Sequence, residues 1–247
     1  MFCYAPPAKH HCPREIHLVV DATYFGKRTE DTIWCLVVAR DPYESENLWW
    51  SFVHTETTGV YLAMRKDLES LGYTILSVTG DGFGGIKTAF QGIPYQMCQV
   101  HMERLVTKGT TKYPKLQEGQ ILLALVRTLP YTDSHTFHVR LKQYTDMYHG
   151  FLNEKTIHPL SGEWSWTHES LRLAVSALRR WKNYLFTYKH NKTIPKTTNS
   201  LEGHFRHIKR LTCVHCGLSK THKIKVLNTI LLAGTTAPSD ELLKNIL

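Results

Sequence analysis

Three carboxylates stand where a carboxylate is out of keeping with its surroundings. Asp21 interrupts the apolar run Ile16-His17-Leu18-Val19-Val20-Asp21-Ala22-Thr23-Tyr24-Phe25, and an ionised acid inside a strand is unfavourable to desolvate unless a cation or a polar cleft compensates it. Asp81 follows directly on Thr74-Ile75-Leu76-Ser77-Val78-Thr79-Gly80. Glu202 is the single acid between residues 170 and 225, a stretch that carries thirteen Lys or Arg. Hard carboxylate oxygens suit magnesium and a basic field suits a polyanion, so the set points to metal-dependent chemistry on nucleic acid. Each acid also has an ordinary reading. Asp21 fits a satisfied buried polar group, Asp81-Gly82 an everyday turn, and Asn199-x-x-Glu202 a capping-box variant that only starts a helix.

Around these acids lie residues with other chemistries. If Glu202 begins a helix, Arg206, Lys209 and Arg210 follow at i+4, i+7 and i+8 on its side of the cylinder, placed to hold phosphates or to form a solvated basic face. Lys220, Lys223 and Lys225 are weaker candidates for the same role. Cys98-x-x-His101 offers a thiol and an imidazole, donors that suit zinc or packing better than magnesium. Cys213-x-x-Cys216, with His215 between, has the spacing of half a zinc site. Its other half would be Cys98 and His101, or Cys3, His10, His11 and Cys12, so structural zinc stays open as the lesser alternative. Cys35 sits in an apolar run and reads as core. Trp164 and Trp166 suit packing, or stacking on an unpaired base. No Ser/His/Asp or Cys/His triad is recognisable, and hydrolysis at a metal site needs none.

The charge of +9 is unevenly spread: residues 1–100 hold 8 basic and 11 acidic side chains, whereas 101–247 hold 22 and 10. The first part therefore reads as scaffold and the second as polyanion surface. Six cysteines in 247 residues make no dense disulfide framework. No apolar stretch reaches the ~20 residues of a membrane span, and the N-terminus lacks the order of a secretory signal. A soluble protein of the cytoplasm, without a membrane partner, is expected.

The elements that must position the acids follow from periodicity. Residues ~15–25, ~31–40 and ~46–54 are rich in Val, Ile, Trp and Phe and are separated by polar turns, which predicts a three-stranded antiparallel meander. Tyr61, Met64, Leu68 and Leu71 recur at helical spacing before Gly72, which predicts a crossover helix. A strand at ~73–79 parallel to the meander, a short helix near 84–91 and a strand near 94–98 complete a mixed α/β layer. From about 100 to 195 the strand signal vanishes. Leu116–Arg127, ~134–155 and Glu169–Trp181 read as helices of an insertion, and ~200–211 and ~219–233 as a pair packed back on the sheet. The expected division is a tail at 1–14, a core at 15–104 and 196–235, a helical insertion at 105–195 and a tail at 236–247.

An acid at the centre of strand one, one at the end of strand four and one at the start of a helix after an insertion is the ribonuclease H-like arrangement. The phrases Val20-Asp21-Ala22-Thr23-Tyr24-Phe25, Gly80-Asp81-Gly82-Phe83-Gly84-Gly85, Cys98-Gln99-Val100-His101 and Thr198-Asn199-Ser200-Leu201-Glu202-Gly203-His204-Phe205 resemble, in order, those of DDE transposases of bacterial insertion sequences, and within them the Mutator-like group. The resemblance covers roughly 15–235. It implies a ribonuclease H-like mixed sheet flanked by helices, with an all-helical insertion before the last catalytic helix. It also implies that Asp21, Asp81 and Glu202 hold two Mg²⁺ or Mn²⁺ ions, Asp21 shared by both, for cleavage and DNA strand transfer in transposition. Cys98 and His101 would then support the active site or touch DNA. Implied partners are transposon ends and target DNA, with a homodimer or higher oligomer formed on DNA in a prokaryotic, nucleoid-associated setting. The family generally carries a DNA-binding domain ahead of the core, for which residues 1–14 leave no room. A shortened, inactive or domesticated mobile-element remnant that only binds DNA, and a ribonuclease H-like nuclease, are the alternative expectations.

Overall fold

The computed structural model describes residues 9–26, 32–214 and 217–233. These divide into two compact units, one reaching to Tyr95 and resuming at Thr198, the other Gln96–Thr197.

In the first unit, β1 (Glu15–Phe25) pairs antiparallel with β2 (Trp34–Asp41), and β2 with β3 (Glu46–Val53). The first helix, α1 (Thr58–Ser70), starts where the Thr57 side chain accepts the Val60 N–H, and it buries Tyr61, Met64 and Leu68. The chain then turns at Gly72, whose φ of 92° is left-handed and suits a residue without Cβ. Next, β4 (Thr74–Gly80) runs parallel to β1 with Val19 opposite Thr79. After the short α2 (Gly84–Ala89), β5 (Tyr95–Met97) completes a five-stranded sheet of order β3-β2-β1-β4-β5. A meander joined through a crossover helix to a strand parallel to its first member is a ribonuclease H-like mixed sheet, and helices flank it.

The closing helices of this unit are α8 (Asn199–Val214) and α9 (Lys220–Ala233). Leu201, Phe205 and Ile208 of α8 and Leu227 and Leu231 of α9 bury against Val19, Trp34, Leu36 and Val38 of the sheet. A polar clamp ties the same elements. Arg40 donates to Asn47 Oδ1 at 2.6 Å, while Asn47 Nδ2 bonds both the Leu231 carbonyl and His204 Nε2 at 3.0 Å. Burial, then the charges of Arg40 and His207, push the His204 pKa down to about 4. The ring is therefore neutral at pH 7 and can accept the Asn47 amide.

The second unit holds α3 (Gln99–Thr110), α4 (Gln117–Arg127), α5 (Ser134–Met147), α6 (His149–Leu152) and α7 (Glu169–Trp181), followed by two 3-10 turns. Gly109 lets α3 approach α7, since a Cβ there would lie 2.6 Å from the Ser170 carbonyl. Three features differ from the sequence reading. The insertion is helical except for one antiparallel hairpin, β6 (Lys155–Ile157) with β7 (Trp164–Trp166), whose three-residue strands are too short for alternation to register. The expected helix over ~134–155 ends at Met147 and resumes as one turn, His149–Leu152, that contains Gly150, a weak helix former. An additional helix, α3, forms from a segment whose Val, Thr and Gly content hides it. Among the described residues, no helix is long and apolar enough to cross a membrane.

Candidate functional site

The first unit carries all three singled-out acids. Asp21 lies in the middle of β1, opposite Val38, and is 6% exposed. Its Oδ1 accepts the N–H of Ala22 at 2.8 Å. Asp81 is the first residue beyond β4. Val19 pairs with Thr79, so Asp21 and Asp81 each follow two residues after paired positions of parallel strands, Asp21 still within β1 and Asp81 just past the end of β4. The Asp81 turn is closely specified: Asp81 Oδ1 accepts the Phe83 N–H at 2.9 Å, and Gly82 has a φ of 92°. The Gly82 N–H donates to the Tyr95 hydroxyl at 3.1 Å.

Glu202 occupies the first turn of α8, directly after Leu201, which is buried on the sheet beside Val19. Its N–H bonds the Thr198 carbonyl at 3.0 Å, and Asn199 already lies inside the helix. The helix start is therefore one residue earlier than an Asn199 cap requires. Arg206, Lys209 and Arg210 are exposed along the same helix, and Lys209 Nζ lies 5.7 Å from the centre of the Phe25 ring. Asp21 lies within β1, Asp81 just past the end of β4 and Glu202 on a helix packed on the sheet, and hard carboxylate oxygens are ligands that suit a divalent cation such as magnesium.

Glu56, which sequence reasoning passed over, and Tyr61, read there only as an apolar helix position, belong to the same unit. The buried Tyr61 donates its hydroxyl to Glu56 Oε1 at 2.6 Å, in the loop just before α1. Burial raises the Tyr61 pKa well above the phenol range, and Glu56, Asp81 and Asp21 add to the rise in that order. Burial likewise raises the Glu56 pKa, opposed by the Tyr61 bond and reinforced by the charge of Asp81. In the sequence, His54-Thr55-Glu56-Thr57-Thr58 is an ordinary polar turn, and no local signal marks Glu56.

The Glu56 shift has a definite sign in stability. Its folded pKa lies above the ordinary 4.5, so the folded state binds this proton more tightly, and the stability gained by protonation is lost as pH rises through the folded pKa. Glu56→Gln keeps an oxygen for Tyr61 and removes the partly buried charge. The variant should melt higher than wild type at pH 7, with the gap closing below about pH 4.5. Thermal melts from pH 4 to 8 check this; a variant that melts lower at pH 7 would contradict it.

Cys98 and His101 lie in the second unit, at the start of α3, where their spacing places them one turn apart. Cys98 is buried and carries no disulfide. On the hairpin, Trp164 is 54% exposed, with Lys155 Nζ 3.9 Å above its ring, and the Arg172 guanidinium lies 3.8 Å over Trp166. Of the residues considered for zinc, Cys12 is exposed and its Sγ is 3.6 Å from His10 Nδ1. Cys3, His215 and Cys216, and the side chain of Cys213, lie outside the described residues. Cys35 is fully buried in β2, and burial raises its thiol pKa to about 11.

The fold thus belongs to the ribonuclease H-like class. No protein-family model matches the chain, and no curated protein matches it. Among solved structures, the chain is similar to the HTLV-2 integrase catalytic core domain in complex with magnesium, at 17% identity and a TM-score of 0.28, over 65% of this chain and 97% of that one. A dimeric form of the same core gives 18% and 0.28. A simian T-cell lymphotropic virus intasome in complex with a PP2A regulatory subunit gives 13% and 0.27, over 69% of this chain and 51% of that one.

Proposed function

We propose that this chain is the catalytic core of a DDE transposase of the Mutator-like group, cleaving phosphodiesters and transferring DNA strands. The observation that carries the reading is the placement of Asp21, Asp81 and Glu202 on one unit: the middle of β1, the turn that leaves the parallel strand β4, and the first turn of a helix packed on β1 and β2. These three side chains would hold the divalent ions. When bound, magnesium or manganese supplies the Lewis acidity that activates an attacking hydroxyl and stabilises a departing 3′ oxygen. The chain's own part is to position. The sheet fixes Asp21, the Phe83 and Gly82 amides fix the Asp81 turn, and Leu201 fixes the helix that presents Glu202.

Arg206, Lys209 and Arg210 bind phosphates of the substrate on this reading. Replacing all three by Gln should weaken DNA binding and lower the slope of log affinity against log salt by about 0.9 for each phosphate that is no longer neutralised. Fluorescence anisotropy on duplex DNA between 50 and 300 mM salt measures it; an unchanged slope would remove these residues from the interface. Function itself is tested by incubating the protein with Mn²⁺, a supercoiled plasmid and an oligonucleotide duplex carrying a free 3′-hydroxyl. Covalent joining of the oligonucleotide supports a transposase. Nicking without joining supports a ribonuclease H-like nuclease, and binding without either supports a DNA-binding remnant.

A further inference from the structure

The turn that carries Asp81 is held from outside as well as from within. Tyr95 is 4% exposed at the start of β5, and its hydroxyl accepts the Gly82 N–H at 3.1 Å. The same hydroxyl presses on the strand end below, because a Cβ on Gly80 would meet it at 3.2 Å and would meet Ile86 Cδ1 at 2.9 Å. Gly82 adopts a φ of 92°, and the Asp81 carboxylate turns back onto the Phe83 amide two residues on. The Gly82 peptide is thus the link between a rigid, buried phenol and the direction in which the Asp81 carboxylate is presented. The bond matters here, since a part-buried N–H that loses its acceptor reorients to find another.

We infer that Tyr95 is a positioning residue for Asp81, setting the Gly82 peptide so that the carboxylate is pre-aligned for a divalent cation. This rests on the cation-holding reading of Asp21, Asp81 and Glu202. Partners one shell out from a metal ligand typically change metal affinity by 10–100-fold when removed. Tyr95→Phe keeps the ring and its packing and deletes the acceptor, so the loss should fall at the low end of that range.

The test is a Mn²⁺ titration of the full chain, following free Mn²⁺ by electron paramagnetic resonance, for wild type, Y95F, D81N and Y95F/D81N. Ile86→Val serves as a packing control, because it trims the side chain beneath Gly80 and leaves the hydrogen bond in place. Y95F should bind Mn²⁺ about tenfold more weakly than wild type, I86V should match wild type, and Y95F should add nothing in the D81N background. Faster hydrogen exchange at the Gly82 amide should accompany the loss in Y95F. Wild-type affinity in Y95F, or equal weakening in Y95F and I86V, would overturn the inference while the cation site stands. A wild-type protein that binds no Mn²⁺ would overturn the cation reading itself, and the inference with it.

Discussion

Asp21→Asn should abolish metal-dependent DNA cutting and joining while leaving the protein folded and at least as stable as wild type. The loss expected is on the order of 10³-fold, about 4 kcal/mol of transition-state stabilisation, as for other preorganised electrostatic groups. The substitution is nearly isosteric, and Asn retains an oxygen for the Ala22 amide that Asp21 now binds at 2.8 Å. It also removes a buried negative charge from the strand beside the one that Asp81 follows. The Ala22 bond is kept and a buried charge is removed, so activity and stability should move in opposite directions, as they do where a functional group is held in an unfavourable setting. Strand-transfer assays beside thermal melts read both. A variant that cuts at the wild-type rate would remove Asp21 from catalysis, and one that melts much lower would make it a structural residue.

Leu201→Ala should produce the largest loss of stability among single changes near the site. Leu201 is fully buried and anchors α8 on Val19, Leu36 and Val38. Truncating such a side chain costs about 2–5 kcal/mol, which for a protein of this size lowers the melting temperature by roughly 5–15 °C. Arg206→Ala, exposed on the same helix, should stay within about 0.5 kcal/mol of wild type. Calorimetry on the pair separates packing from helix propensity. A Leu201→Ala loss under about 1 kcal/mol would mean that α8 does not depend on this anchor. At temperatures where the variant remains folded, activity should also fall, because Glu202 is the next residue on the same turn.

What was legible beforehand divides by length scale. The meander, the crossover helix ending at Gly72 and the helix Glu169–Trp181 were readable because each carries a long, regular apolar pattern. Asp21 stood out for the same reason, as a charge inside such a pattern. The hairpin around Trp164 and Trp166 was not readable, because three residues are less than two periods of alternation. Helix α3 was hidden by its own composition, with Val, Thr and Gly where stronger helix formers would have marked it. Glu56 and Tyr95 were missed for a different reason. Their roles depend on tertiary neighbours, Tyr61 five residues away across a helix start and Gly82 on the adjoining strand end, and no local pattern encodes that. The start of α8 shifted by one residue for an ordinary reason, since helix boundaries blur at that scale.

The measurement that bears most directly on the proposed site is a crystal structure from crystals soaked in Mn²⁺, with anomalous peaks placed against the three carboxylates. Two peaks about 4 Å apart, each within coordination distance of Asp21, with Asp81 completing one and Glu202 the other, are expected. An ordered sheet with no peak near Asp21, Asp81 or Glu202 would contradict it and leave DNA binding as the function to pursue.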